Sequence, residues 1–434
     1  MVRKLSPNLS FERCVQIIRL DAERATSKSW SRGCFGFRRG FGTEDAIFIA
    51  RRRIEVARAQ RAGKASLLAL DWRKAFDSIN VISLIDALRR YGIPSKFLDV
   101  LAEYLNSRKF YVQDCGLRSS LQAQRSGISQ GCTLSPLLFI VVMSVLLHDA
   151  VTALGTEARA AYERGDLADL VYADDTLLMG VCDAHVQEYL AAISEAGKRY
   201  GLELHAAKFQ LISTDASTNI STPDDMRIPV KTSMEYLGSV IAATGESDTE
   251  LNRRLGMAKA DFNAISKVWS HSSLTWKGKL RVFSAIIESK LLYSLSSKCL
   301  SVAEARRLDG FQNRCIRKIL GIRPAFYSRV SNKDVLGKAG HQAASEMLRR
   351  RRLQLLGKIF RQQAQHPLRK ACFIGNTSRL ATDQYFRRRG RPAKEWTKHT
   401  LDDARRLFGD ADQAMHEASD ESPYDDIVKR CSFC

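Results

Sequence analysis

The 434-residue chain carries 68 Lys and Arg against 47 Asp and Glu, a net charge of +21, and 45% of its residues are hydrophobic. That apolar fraction excludes a disordered chain, and the positive excess implies a polyanionic partner, nucleic acid by default, with a membrane surface as the competing reading. The longest apolar run, Leu134 to Leu147, is shorter than the about 20 residues of a membrane span and reads as a buried helix. Met1 to Pro7 holds no secretory h-region. Ten cysteines without framework spacing suit free thiols in a reducing compartment, so the expected setting is intracellular, nuclear or cytoplasmic, with no membrane. Cys431-Ser432-Phe433-Cys434 has ligand spacing but no second pair, which is a weak zinc pattern.

In chain order, residues 1–33 read as a short helical lead with Val15, Ile18 and Leu20 between charges. Cys34 to Ala46 interleaves glycines, aromatics and the pair Arg38-Arg39, a composition open to unpaired bases and phosphates or, equally, to a glycine-bent packed loop. Thr43 reads as the cap of a helix through Ile47, Ile54 and Val56. The apolar run from Ala65 reads as a buried strand that ends on Asp71, where sheet proteins often place a ligand-facing group. Asp77 reads as the cap of a helix over 79–91, ended by Gly92 and Pro94; a second helix spans 96–105, and 110–112 is strand-like. Residues 126–139 are a glycine-bearing loop entering a long apolar helix through Ser135-Pro136, a natural phosphate or sugar platform.

Leu170 to Met179 places Asp174 and Asp175 between two short apolar runs and predicts a β-hairpin with the aspartates at its tight turn. An isolated Asp-Asp pair reads first as a solvated turn. The rest of the chain overturns that reading. An amphipathic helix over 185–200 follows, then Gly201 to Lys208, a strand over 209–212, a polar loop over 214–227 and a hairpin over 235–241. Ser247 and Glu250 form a capping-box pattern opening basic helices with Arg253, Arg254 and Lys259, broken at Leu320 to Pro324. Arg349 to Arg352 and Arg387 to Arg391 read as solvated faces or as nucleic-acid contacts.

If the strands before Asp71 and around Asp174-Asp175 are neighbours, three carboxylates converge and could hold two Mg²⁺ ions about 3.5–4 Å apart, the spacing for in-line phosphoryl transfer. The residues alone therefore point to a metal-dependent phosphoryl or nucleotidyl transferase acting on nucleic acid.

Tyr172-Ala173-Asp174-Asp175 resembles the palm hairpin of reverse transcriptases. In the family's order it is preceded by Asp71 with Ala75-Phe76-Asp77 and by Ser129 to Phe139, and followed by Gly201 to Lys208 and Tyr236-Leu237-Gly238. The form Gln130-Gly131-Cys132 to Phe139 looks like non-LTR (LINE-type) retrotransposons, with Gly390-Arg391-Pro392 and Trp396 a weaker echo of their tails. The resemblance implies an α+β right-hand polymerase: partial fingers over 1–64, a palm with antiparallel sheet and remaining fingers elements over 65–243, a helical thumb over 244–325 and a basic helical C-terminal region over 326–434.

It implies Asp71, Asp174 and Asp175 as ligands of two Mg²⁺ ions, with Mn²⁺ as a substitute. Lys208 would stand near the leaving phosphates as a general acid. Phe76 would be a steric gate against a ribose 2′-OH. Gln130, Gly131 and Arg38 would contact the incoming nucleotide; Tyr236, Leu237 and Gly238 would grip the primer; Arg253 and Arg254 would hold nucleic-acid backbone. The implied partners are an RNA template, a DNA primer and deoxynucleoside triphosphates, with no protein partner indicated. The motifs begin at Cys34, so a fingers segment is expected to be missing, and no nuclease constellation stands in the C-terminal part. The competing readings are an inactive element remnant that binds nucleic acid, and an RNA-templated RNA polymerase, against which Phe76 argues.

Overall fold

The computed structural model describes residues 33–245, 248–271, 273–386, 388 and 394–430. The lead over residues 1–32, the Ser247 half of the capping box, Arg387 with Arg389 to Pro392, and Cys431 to Cys434 lie outside the described residues. Two compact units divide the chain: Met1–Ala46 with Lys64–Lys231, and Ile47–Gly63 with Thr232–Cys434. Helix α1 (Thr43–Ala59) contributes to both in turn.

The first unit is built on a five-stranded sheet. Strands β1 (Ser66–Leu70), β2 (Leu167–Tyr172), β3 (Asp175–Gly180), β4 (Gln210–Ser213) and β5 (Val230–Lys231) run in the order β2-β3-β1-β4-β5. Every pair is antiparallel except β4 with β5, which is parallel. The central strands read as continuous apolar runs because both faces are covered; Thr176 to Gly180 of β3 are all buried.

Helices α2 (Val81–Arg90), α3 (Ser95–Asn106), α4 (Ser135–Thr152), α5 (Thr156–Arg164) and α6 (Asp183–Arg199) pack around it. Asp77 does not cap α2. It lies inside a single turn over Ala75–Ser78, and Asn80 Oδ1 takes the cap by accepting from the Ile82 and Ser83 amides at 2.9 and 3.1 Å. Helix α4 reaches Thr152, so it is long and apolar enough by length and composition to cross a membrane, contrary to the shorter run read from sequence. Leu138 to Leu147 are nevertheless all buried, with α2 and α6 packed on α4. Each such buried apolar side chain contributes roughly 1.5–3 kcal/mol to the core.

The second unit opens with the hairpin β6 (Ser233–Tyr236) and β7 (Ser239–Ala242) and continues as helices α7 (Asp248–Ala264), α8 (Trp276–Val282), α9 (Val302–Leu320), α10 (Asn332–Ala339), α11 (Ala344–Phe360), α12 (Trp396–Phe408) and α13 (Glu421–Arg430). One apolar core runs from Leu251 through Phe283 and Ile316 to Leu348. The Arg349 to Arg352 run is largely absorbed by this unit. Arg349 and Arg352 pair with buried Asp403, and Arg350 with Glu346.

Candidate active site

Pairing places Leu70 of β1 opposite Thr176 of β3, so the chain beyond β1 brings Asp71 level with Asp175. Tyr172 pairs with Asp175, leaving Ala173-Asp174 as a two-residue turn in which Ala173 takes a φ of 58°. The Trp72 indole N–H donates to Thr176 Oγ1 at 3.1 Å and ties the two strand ends together. The three carboxylates feel one another. Packing around Asp175, then the charges of Asp174 and Asp71, push its carboxyl up to about 6.

Asp71 also faces two bases. Lys208 Nζ lies 3.0 Å and His205 Nδ1 3.4 Å from Asp71 Oδ2. Both are delivered by residues 203–208, because the His205 amide donates to Asp71 O at 2.8 Å and the Arg73 amide to Glu203 O at 2.9 Å. Lys208 ends the following 3₁₀ turn, Ala206–Lys208. His205 was not singled out from sequence; its position three residues before Lys208 is the only signal there.

Among the described residues no three His, Cys, Asp or Glu side chains are gathered as a ready-made metal cage. Like charges hold apart without a counter-ion, and Lys208 supplies the positive charge at Asp71. The donor set still fits a hard divalent cation. Its atoms are carboxylate oxygens, the donors such a cation takes, and Asp174 and Asp175 are exposed at the turn.

Phe76 stacks on Phe139 of α4, with centroids 4.6 Å apart and planes at 9°. Its carbonyl accepts from the Ile128 amide at 2.7 Å, which brings the 126–134 loop to the segment after Asp71. Gly127 fits there because a Cβ would stand 2.6 Å from Asp77 Cα, and its φ is +78°. Arg108 anchors the loop through Gly127 O at 2.7 Å and Ser129 Oγ at 3.3 Å. Gln130 and Gly131 are exposed on this loop. Ile128 lies within the loop read from the sequence, whereas Arg108 carried no motif signal.

Residues 33–36 form an added edge on β2. The Val171 amide donates to Gly33 O at 2.8 Å and the Phe35 amide to Val171 O at 2.8 Å. Arg38 Nη1 donates to Cys34 O at 2.8 Å and the guanidinium lies 4.9 Å from the Phe41 ring centre. Burial lowers its pKa.

Tyr236, Leu237, Gly238, Arg253 and Arg254 belong to the second unit. Leu237 and Gly238 form the β6–β7 turn with φ of 48° and 67°, and Tyr236 is buried. Arg254 is buried rather than presented to a phosphate. It donates to Glu250 Oε1 at 2.6 Å and to Gly238 O, and lies 4.6 Å from the Tyr293 ring centre. Arg253 pairs with Glu235 at 2.6 Å and donates to Gly238 O at 3.0 Å. Both arginines thus brace the turn. Glu250 Oε2 accepts from the Val240 amide at 2.9 Å.

A strand-end aspartate facing a hairpin that carries two more is the arrangement of a polymerase palm. The family model for reverse transcriptase (RNA-dependent DNA polymerase) matches residues 13–241, starting ahead of Cys34, where the sequence motifs begin. The chain belongs to the reverse transcriptase family, and the curated relatives it resembles are polymerases of non-LTR retrotransposons. It is 26% identical over 294 residues to a retrovirus-related Pol polyprotein from type-1 retrotransposable element R2 of Popillia japonica, covering 63% of this chain and 40% of the relative. It is 28% identical over 183 residues to the RNA-directed DNA polymerase from mobile element jockey of Drosophila melanogaster, covering 40% and 19%. A solved telomerase from Candida tropicalis, in complex with a fragment of telomeric RNA, aligns with a TM-score of 0.44 at 13% identity over 80% of this chain and 54% of that one. The chain spans less than half the length of the curated relatives it matches. The family uses divalent metal ions.

Proposed function

We propose that this chain is an RNA-directed DNA polymerase of a non-LTR retrotransposon, extending a DNA primer on an RNA template with deoxynucleoside triphosphates. The observation that carries the reading is the β1–β3 register, which sets Asp71 level with Asp175 beside the Asp174 turn. Asp71, Asp174 and Asp175 would hold two Mg²⁺ ions, or Mn²⁺ in their place. Bound there, the ions would lower the pKa of the primer 3′ hydroxyl and neutralise the leaving pyrophosphate.

The chain's own groups do the rest. Lys208, whose Nζ lies 3.0 Å from Asp71 Oδ2, would serve as the general acid toward the leaving phosphate. Phe76, fixed on Phe139, stands five residues past Asp71 as a wall against a 2′-OH. Gln130 and Gly131 flank the nucleotide from the loop bonded to Phe76. The β6–β7 turn, half-buried at Leu237 and exposed at Gly238, would meet the primer. The seven described cysteines are free thiols, in keeping with a nuclear or cytoplasmic setting.

Primer extension on an RNA template with deoxynucleotides and Mg²⁺ tests the reading, with Asp174→Asn/Asp175→Asn as control. Extension by the wild type alone supports it. Absence of extension together with salt-sensitive RNA binding leaves the inactive remnant.

A further inference from the structure

The α9–α10 connection exposes two large aromatics on a rigid base. Phe326 is 74% and Tyr327 71% exposed, yet they are not on a slack loop. Arg317, buried on α9, donates to Arg323 O at 3.1 Å, Val330 O at 2.7 Å and Asn332 Oδ1 at 2.9 Å, clasping both ends of the connection. Gly321 closes α9 and a Ser331–Asp334 capping box opens α10. Spending a buried guanidinium to hold exposed rings contradicts folding economy, since those rings would stabilise more if buried. The rings meet edge to face at 5.3 Å, and the Arg329 guanidinium lies 5.6 Å from the Phe326 ring centre.

The charge around them is mainly positive. Residues 310–333 contain six Lys and Arg, of which Arg317 is the buried clasp, and no Asp or Glu, with Asp334 of the α10 cap the first carboxylate beyond them. At the other end of α10, about 12 Å away at 1.5 Å per residue, a groove of about 760 Å³ is lined by half-exposed Trp276 with Lys277, Arg281, Lys338 and His341, and by no carboxylate. Lys277 Nζ stands 5.5 Å from the Trp276 ring centre.

We infer that this face of the second unit, from Phe326-Tyr327 along α10 to the Trp276 groove, binds single-stranded nucleic acid. Unpaired bases stack on Phe326 and Tyr327 while Arg323, Arg329 and Lys338 take phosphates. A duplex cannot use the rings, because its base faces are already stacked. A protein partner would meet a surface that Arg323, Arg329, Lys333 and Lys338 make mainly positive. The inference extends the polymerase reading but requires no turnover to test.

Fluorescence anisotropy of the full chain with labelled oligo(dT), beside a blunt dA·dT duplex, reads it directly. Phe326→Ala/Tyr327→Ala is expected to weaken oligo(dT) binding by about tenfold or more, with duplex affinity and melting temperature held. Phe326→Trp/Tyr327→Phe is expected to restore oligo(dT) binding. Binding is read without deoxynucleotides or Mg²⁺, so a wild type that binds oligo(dT) yet extends no primer still tests the inference, which separates its failure from failure of the polymerase reading. Unchanged oligo(dT) affinity in the alanine variant overturns the inference. So does an equal loss for both ligands, or loss of self-association in sedimentation with oligo(dT) binding intact, which would mark a protein-docking face.

Discussion

Gly36 lies directly against Ala173 at the Ala173-Asp174 turn: a Cβ on Gly36 would overlap the Ala173 amide nitrogen and stand 3.0 Å from the Tyr172 carbonyl carbon. The obstacle is backbone, so it cannot swing aside. Gly36→Ala is expected to push the Asp174 turn off position and cut primer extension by about 100-fold, the scale of an ångström's misplacement. Gly42→Ala, with open space at its Cβ, is the matched control and should extend normally. Equal rates in the two variants would show that the added edge does not support the turn.

Asp71, Asp174 and Asp175 repel one another when no cation is bound. In chelator, Asp174→Asn/Asp175→Asn should therefore melt higher than wild type. Mg²⁺ should raise the wild-type melting temperature and leave the variant's unchanged. Differential scanning fluorimetry with and without Mg²⁺ checks both signs; a variant that gains as much from Mg²⁺ as wild type would place the metal elsewhere.

Phe76 rests on Phe139 and is fixed through its carbonyl by Ile128. Phe76→Val removes the wall without adding polarity. The ratio of ribonucleotide to deoxynucleotide incorporation should rise by about one to two orders of magnitude. Single-nucleotide insertion with matched dNTP and rNTP measures it, and an unchanged ratio would assign discrimination to another residue.

Lys208 can act by its proton or only by its charge. Lys208→Ala should lower kcat by about 100-fold or more. Lys208→Arg keeps a cation beside Asp71 but holds its proton at every working pH. If Lys208 is the acid, arginine fails to rescue kcat; recovery with arginine would make it a positioning residue.

Glu250 is fully buried, and burial alone would raise its pKa. The Val240 amide and the Arg254 guanidinium outweigh that and hold it below the ordinary 4.5. A lowered pKa contributes stability above the unfolded value, and that stability is lost as pH falls through the folded value. Wild-type melting temperature should thus fall as pH drops below about 4.5, more steeply than in Glu250→Gln. Glu250→Ala, which strands buried Arg254, should cost about 3–5 kcal/mol by denaturant melts at neutral pH.

The chemistry was largely legible in the sequence because it rests on short-range patterns. The Leu170–Met179 hairpin, the strand ending at Asp71, the Pro136 entry to α4 and the 235–241 hairpin all follow from local period and turn residues, and each stands where predicted. Asp77 and Asn80 compete for one cap three residues apart, and local composition cannot choose between them.

What the sequence alone could not decide is which polar groups are spent inside. Arg254 and the Arg349–Arg352 run are indistinguishable in composition from surface cations, and only packing shows them paired with Glu250, Asp403 and Glu346. Nor does any pattern show that Gly36, His205 and Arg108 stand at the site, since strand pairing and loop anchoring between residues far apart in the chain bring them there. Residue types and their spacing along the chain determine which chemistry is available. The tertiary structure decides which of those groups remain free to perform it, because burial and pairing depend on neighbours that the chain order does not contain.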